Sequence, residues 1–244
     1  MNKRELLSEN VYKEGNTIIK PIKPWTKNIH LLLQHFYNDG LPVPQIIKTD
    51  NEYEYLKYIE GEITYPQQWS NELLFELAHL IRKIHNSAKT FEYPESEEWQ
   101  PNYLRELDGL KIYSHGDIAP WNVVTKGNNI VGLIDWEFAG QICPIVEFAR
   151  VCWIFSSLPD CNSDKLDVSK LEQIRVMADI YGLNKNNRKN FFETMLATII
   201  YDISNATRNV TVDTVGKMWG IAWRNRNLYW AWNNKDLIQK ALNK

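Results

Sequence analysis

In the stretch "HGDIAPWNVV", Asp117 precedes Asn122 by five positions, and a second carboxylate, Asp135, follows in "VGLIDWE". Glycine and asparagines at 127–129 separate two β-rich runs, "NVVTK" and "NIVGLIDW", which predicts a hairpin centred on Asn128. Cross-strand partners then have residue numbers summing to about 256, so that Asn122 faces Ile134 and Trp121 faces Asp135. Neighbouring strands lie about 5 Å apart, which brings the amide of Asn122 and the carboxylate of Asp135 within reach of one cation. Both are hard oxygen donors, suited to Mg²⁺ and ill suited to zinc. Asp117, on the loop feeding the first strand, is a spare carboxylate that can orient a hydroxyl and take up its proton. Asp and Asn beside loops commonly cap turns. The three together, with an apolar "GLI" before the second Asp, point instead to a site.

The flanking chain must position these groups. Residues 10–23 read as a hairpin around Glu14-Gly15-Asn16. A helix follows, with Ile29, Leu32, Leu33 and Phe36 at helical spacing, Thr26 as its cap and Gly40 with Pro42 as its end. "QIIKTDNEYEYLKYIEGE" reads as two further strands about a Thr-Asp-Asn turn. Ser70 is placed to cap a helix with Leu73, Leu74, Leu77, Leu80, Ile81 and Ile84 on one face. A polar, Pro-containing link, "EYPESEEWQP", precedes the hairpin of Asp117. Helices are expected over 145–157, 168–181, 187–206 and 213–243. The fold class is α+β: a short β-rich N-lobe, residues 1–61, then a mainly helical C-lobe, residues 62–244, that contains the hairpin.

"HGD" with Asn at plus five, then "IDWE", resembles the catalytic segment of the aminoglycoside phosphotransferase and choline kinase-like superfamily, the small-molecule branch of the protein-kinase-like fold. The order "TIIKPIKPWTKNIHLLLQHF", "EYLKYIEGE", "HGDIAPWNVV", "GLIDWEFAG", "MADIYGL" is similar to the trifolitoxin-immunity-like subgroup of that phosphotransferase family, over roughly residues 12–182. The resemblance implies ATP and Mg²⁺ as cofactors and a small-molecule hydroxyl as acceptor. It implies Asp117 as catalytic base, and Asn122 and Asp135 as magnesium ligands between the nucleotide's phosphates. Lys20 would pair with those phosphates, His115 would brace the loop, and backbone groups near Tyr58 and Ile59 would bond the adenine. Three features depart from the pattern. No G-x-G-x-x-G loop precedes Lys20. The helix "TKNIHLLLQHFYNDG" holds no Glu to pair with that lysine, Gln34 being a neutral stand-in. "CPIVEFARV" replaces the usual acidic anchor after the magnesium Asp with Glu147.

The bulk composition is that of a folded protein. The 244 residues are 44% hydrophobic with a formal net charge of −2, so neither a nucleic-acid partner nor a membrane surface is indicated. Three cysteines, 143, 152 and 161, without C-x-x-C spacing read as reduced thiols, and no apolar leader opens the chain, so a cytoplasmic location is expected. Residues 160–244 carry 13 Lys/Arg against 9 Asp/Glu, a net of +4, with Arg224 and Arg226 among Trp219, Trp223, Trp230 and Trp232. That sign disfavours polycationic aminoglycosides as acceptors. The tryptophans fit core packing or an aromatic wall for a substrate. Two alternatives stand beside a kinase: a catalytically impaired, kinase-like binding or immunity protein that sequesters a small molecule or peptide, and a metallohydrolase using His115, Asp117 and Asp135.

Overall fold

The computed structural model describes residues 4–65, 69–93, 98–156, 168–208 and 215–243. Two compact units share the chain. One comprises residues 1–66, 83–101 and 112–141; the other comprises 67–82, 102–111 and 142–244. The sequence division at 61/62 follows chain order, whereas these units interleave, and residues 112–141 group with the N-terminal sheet.

The first unit is built on a five-stranded antiparallel sheet. Its strands are β1 (Arg4–Ser8), β2 (Val11–Glu14), β3 (Thr17–Pro21), β4 (Ile46–Thr49) and β5 (Tyr53–Lys57), in spatial order β1-β2-β3-β5-β4. The hairpin over 10–23 forms as its turn residues predict, with Gly15 at φ 58°. β1 is a strand that sequence pattern did not signal. All five of its residues are exposed, so it has no inward-facing alternation to read. In β5, Glu54 and Leu56 are buried while their neighbours are less so, the period of two expected of a half-covered strand.

Helix α1 (Thr26–Asn38) buries Ile29, Leu32, Leu33 and Phe36, the face predicted for it. Thr26 does not cap it: Thr26 is the first helical residue, and its Oγ1 accepts from the Lys23 N–H at 2.8 Å, fixing the turn that leads in. The helix ends in a Schellman motif. The Leu41 N–H donates to the Phe36 carbonyl and the Gly40 N–H to that of Tyr37, with Gly40 at φ +74°, where other residues are strained. Helix α2 (Asn71–Ser87) is capped as expected, Ser70 Oγ accepting from the Leu73 N–H at 3.3 Å.

A second sheet follows, with β6 (Glu62–Ile63), β8 (Val123–Lys126) and β9 (Asn129–Leu133) in the order β6-β8-β9; β7 (Ile112–Ser114) precedes the loop of Asp117. Gly61 is required where β6 crosses β8, because a Cβ there would lie 2.5 Å from the Thr125 carbonyl oxygen. In the β8–β9 hairpin, Val123 pairs with Leu133 and Val124 with Gly132, the predicted sum of 256. A bulge then shifts Thr125 onto Ile130.

The second unit is helical: α3 (Pro144–Phe155), α4 (Val168–Tyr181), α5 (Lys185–Lys189), α6 (Phe191–Arg208), α7 (Val215–Asn233) and α8 (Lys235–Leu242). Phe148 stacks on Tyr181 with centroids 3.9 Å apart, and Trp153 packs on Trp223 at 5.3 Å while donating from Nε1 to Thr198 Oγ1. Burial pushes the Tyr181 hydroxyl and the Cys152 thiol well above their ordinary pKa. Cys143 is buried too, and Cys161 lies outside the described residues. Two expected helices are divided, each at an asparagine. Asn190 separates α5 from α6. Asn234 ends α7 by donating from Nδ2 to the Trp230 carbonyl, and its own carbonyl accepts from Leu237 and Ile238 to start α8. No described helix is long and apolar enough to cross a membrane.

Of the aromatic cluster, Trp230 is buried, Trp223 packs on Trp153 and Trp232 is exposed; the Trp219 side chain lies outside the described residues. Arg224 is engaged with the buried Asp202 (2.8 Å), an acid of the same positive segment, so the pair leaves the net charge of that segment unchanged.

Candidate functional site

Asp117 is held from three directions. Its N–H donates to His115 Nδ1 (3.1 Å), and the Asn122 amide donates both to its carbonyl (2.9 Å) and to its Oδ2 (3.2 Å). With its amide hydrogens turned to Asp117, Asn122 keeps Oδ1 as its remaining hydrogen-bonding atom, an acceptor of the kind a hard cation takes. Because His115 Nδ1 accepts, the ring proton sits on Nε2 and is donated to the Ile134 carbonyl at 2.9 Å. The fully buried His115 thus ties the loop of Asp117 to the residue before Asp135. A second tie runs from the Ile134 N–H to the Asn122 carbonyl, 2.8 Å. Both ring nitrogens of His115 are engaged, which leaves none for a metal and counts against the metallohydrolase. Among the described residues no cluster of three or more His, Cys, Asp or Glu side chains is arranged to hold a metal ion.

Asp135 adopts a left-handed backbone, φ 63° and ψ 62°, two residues after the end of β9. Only two non-glycine residues in the described chain have positive φ, the other being Asn10. Such a conformation persists where its surroundings over-determine it, and it concentrates at functional sites. Here the neighbours on both sides are pinned. Ile134 is bonded as above, and Trp136 donates from Nε1 to the Leu133 carbonyl (2.7 Å) with its ring 4.5 Å from that of His115.

Lys20 reaches the same carboxylate, its Nζ donating to Asp135 Oδ1 at 3.0 Å. Burial opposes the ammonium form, but Asp135, with Glu54 and Glu137 behind it, outweighs that cost and raises the pKa of Lys20 above its ordinary value. A cavity of about 270 Å³ opens here, within the first unit. Four carboxylates line it, Glu9, Glu54, Asp135 and Glu137, against two ammonium groups, Lys20 and Lys23. That balance resists a bare polyanion and favours one that arrives with a divalent cation. Trp25 also lines the cavity, and its buried indole N–H has no acceptor among the described residues, an opening for a ligand oxygen.

The structure therefore joins Asp117, Asn122 and His115 in one network, ties it to Asp135, and brings Lys20 to Asp135. Tyr58 and Ile59 are not among the cavity walls. The Tyr58 N–H is already donated to the Asn16 carbonyl, and the Ile59 side chain packs over Gly132. Gln34, the neutral stand-in, turns to Asn38 instead of to Lys20. The cavity residues that sequence reasoning missed include Glu9 and Asn10 at the β1–β2 turn, Trp25, Glu137 and Glu54. Glu54 was legible in principle, since it shares parity with Leu56 on the inward face of a short strand.

A model of the phosphotransferase enzyme family matches residues 109–167, the segment carrying Asp117, Asn122 and Asp135. The chain is 28% identical over 246 residues to the trifolitoxin immunity protein of Rhizobium leguminosarum bv. trifolii, a match covering 95% of this chain and 94% of that protein. Its fold is similar to that of an amicoumacin kinase solved with AMP-PNP and Ca²⁺ (TM-score 0.68, 11% identity, covering 93% of this chain and 88% of that one). It is also similar to a microcompartment-associated aminopropanol kinase (TM-score 0.68, 10% identity, 98% and 93%). A choline/ethanolamine kinase family protein from Mesorhizobium loti gives a TM-score of 0.59 at 13% identity, over 99% and 92%. At these identities the likeness establishes the protein-kinase-like α+β fold.

Proposed function

We propose that this chain, which resembles the phosphotransferase enzyme family in sequence and has the kinase-like fold of small-molecule kinases, transfers phosphate from Mg·ATP to a hydroxyl of a small molecule. The observation that carries the reading is the network joining Asp117, Asn122 and His115 to the strained Asp135, with Lys20 3.0 Å from Asp135. Asn122 Oδ1 and the Asp135 carboxylate would hold Mg²⁺. Lys20 would leave Asp135 for a phosphate oxygen once the cation takes its place. Asp117, fixed by the Asn122 amide and by His115, would align the acceptor hydroxyl and receive its proton. When bound, Mg·ATP supplies the phosphoryl group and neutralises its charge; the chain supplies position and electrostatics, which is most of what this reaction needs.

The first test is thermal melting with nucleotide. Mg·ATP at a hundred times its Kd should add about 2.7 kcal/mol of apparent stability. The alternative reading, a binding or immunity protein without transfer, draws on the name of the Rhizobium relative. An absent shift, with and without Mg²⁺, would favour it.

The acceptor is proposed to be a neutral or anionic alcohol. A screen for ADP release should favour sugars and other uncharged or anionic alcohols over kanamycin-type drugs. Equal turnover on the drugs would reject that assignment.

A further inference from the structure

We propose that Glu54 is the carboxylate that steadies Lys20 for phosphate binding, presented by strand β5 and clamped from helix α1 by His30, in place of an acid on the helix itself. The inference rests on the phosphotransferase reading and assigns a positioning residue to it.

Helix α1 has no acidic residue, and Gln34 is spent on Asn38. The sheet supplies what the helix lacks. In the β3–β5 register Lys20 stands directly opposite Glu54, and directly opposed residues have Cβ atoms about 4.5–5.5 Å apart. Both residues line the cavity, together with Ile29 and Leu33 from α1. Glu54 is 8% exposed, in a position that its parity with Leu56 would give to an apolar side chain. A carboxylate is costly to keep there without partners. His30 Nε2 lies 2.7 Å from Glu54 Oε2, so the helix still reaches the lysine's acid, at one remove. The raised pKa of Lys20 includes a contribution from Glu54.

The arrangement also explains how Lys20 can release Asp135. Lys20 is bonded to the very carboxylate proposed as a metal ligand. Once Asp135 turns to the cation, Lys20 needs another counter-charge to stay aimed at the phosphates. Glu54 meets that need because it is fixed by its own histidine rather than by the metal.

The test is a titration of the full-length protein with Mg·AMP-PNP, for wild type, Glu54→Gln, Lys20→Met and the double variant, with melting temperatures alongside. The Glu54→Gln change keeps the shape of the side chain, and its amide oxygen can still accept from His30. The expected result is about tenfold weaker binding by Glu54→Gln, the scale of one charge-assisted contact, and no further loss when it is added to Lys20→Met. Glu54→Asp should recover part of the affinity. Wild-type affinity in Glu54→Gln, beside a weakened Lys20→Met, overturns the role of Glu54 and leaves nucleotide binding intact. Additive losses accompanied by a lowered melting temperature mean that Glu54 is structural, and also overturn it. No binding by the wild type removes the phosphotransferase reading, and this inference with it.

Discussion

The Asp117→Asn variant is expected to bind Mg·ATP as the wild type does and to transfer phosphate about a hundred- to ten-thousand-fold more slowly, the usual contribution of a positioned base. The substitution is nearly isosteric. An asparagine in this place still offers an oxygen to the Asn122 amide, and its main chain still bonds His115 and Asn122. What disappears is the ability to take a proton from the acceptor. The measurement is ADP release with the best alcohol from the acceptor screen, set against nucleotide affinity by titration. Undiminished release would remove Asp117 from the chemistry.

Replacing Asp135 by Asn should have the larger effect on ligand binding. Asparagine also tolerates the left-handed backbone found here, so the fold is spared. The lost Lys20 pair is half open to solvent on the Asp135 side and contributes little to the stability of the free protein. The melting temperature without ligand should therefore barely move. The stabilisation by Mg·ATP, about 2.7 kcal/mol at a hundred times Kd in the wild type, should vanish. A variant that keeps the full magnesium-dependent shift would show that the cation is held elsewhere.

The parts of the site legible in sequence are those set by local geometry. Asp117, Asn122 and Asp135 lie on one hairpin, and a turn at 127–129 is enough to put Val123 opposite Leu133. The role of His115 came only with the resemblance to the phosphotransferase family. Lys20, at the end of an apolar strand, was reached through the same resemblance, and the sequence does not show which residues stand beside it. The pairing of β3 with β5 passes over a whole helix and β4, and no short-range signal shows that Glu54 stands opposite. The same holds for Glu9 and Asn10, which enter the cavity on a turn from an exposed strand with no apolar alternation. In the helical unit, periodicity located the helices but overran Asn190 and Asn234; at Asn234 the reason is a side chain that bonds the backbone, which a hydrophobic repeat does not register.

The interleaving of the two units sets an order of arrival during synthesis. β3 and β5 leave the ribosome early and can pair at once, while the strained aspartate emerges only after the chain has twice contributed segments to the other unit. Of the three carboxylates that act on the lysine ammonium, the one on β5 alone precedes this detour. The nascent cation thus has its first counter-ion before its later bonding partner exists, and the half of the pocket built from the amino-terminal sheet is charge-matched in advance of the half that would grip a metal.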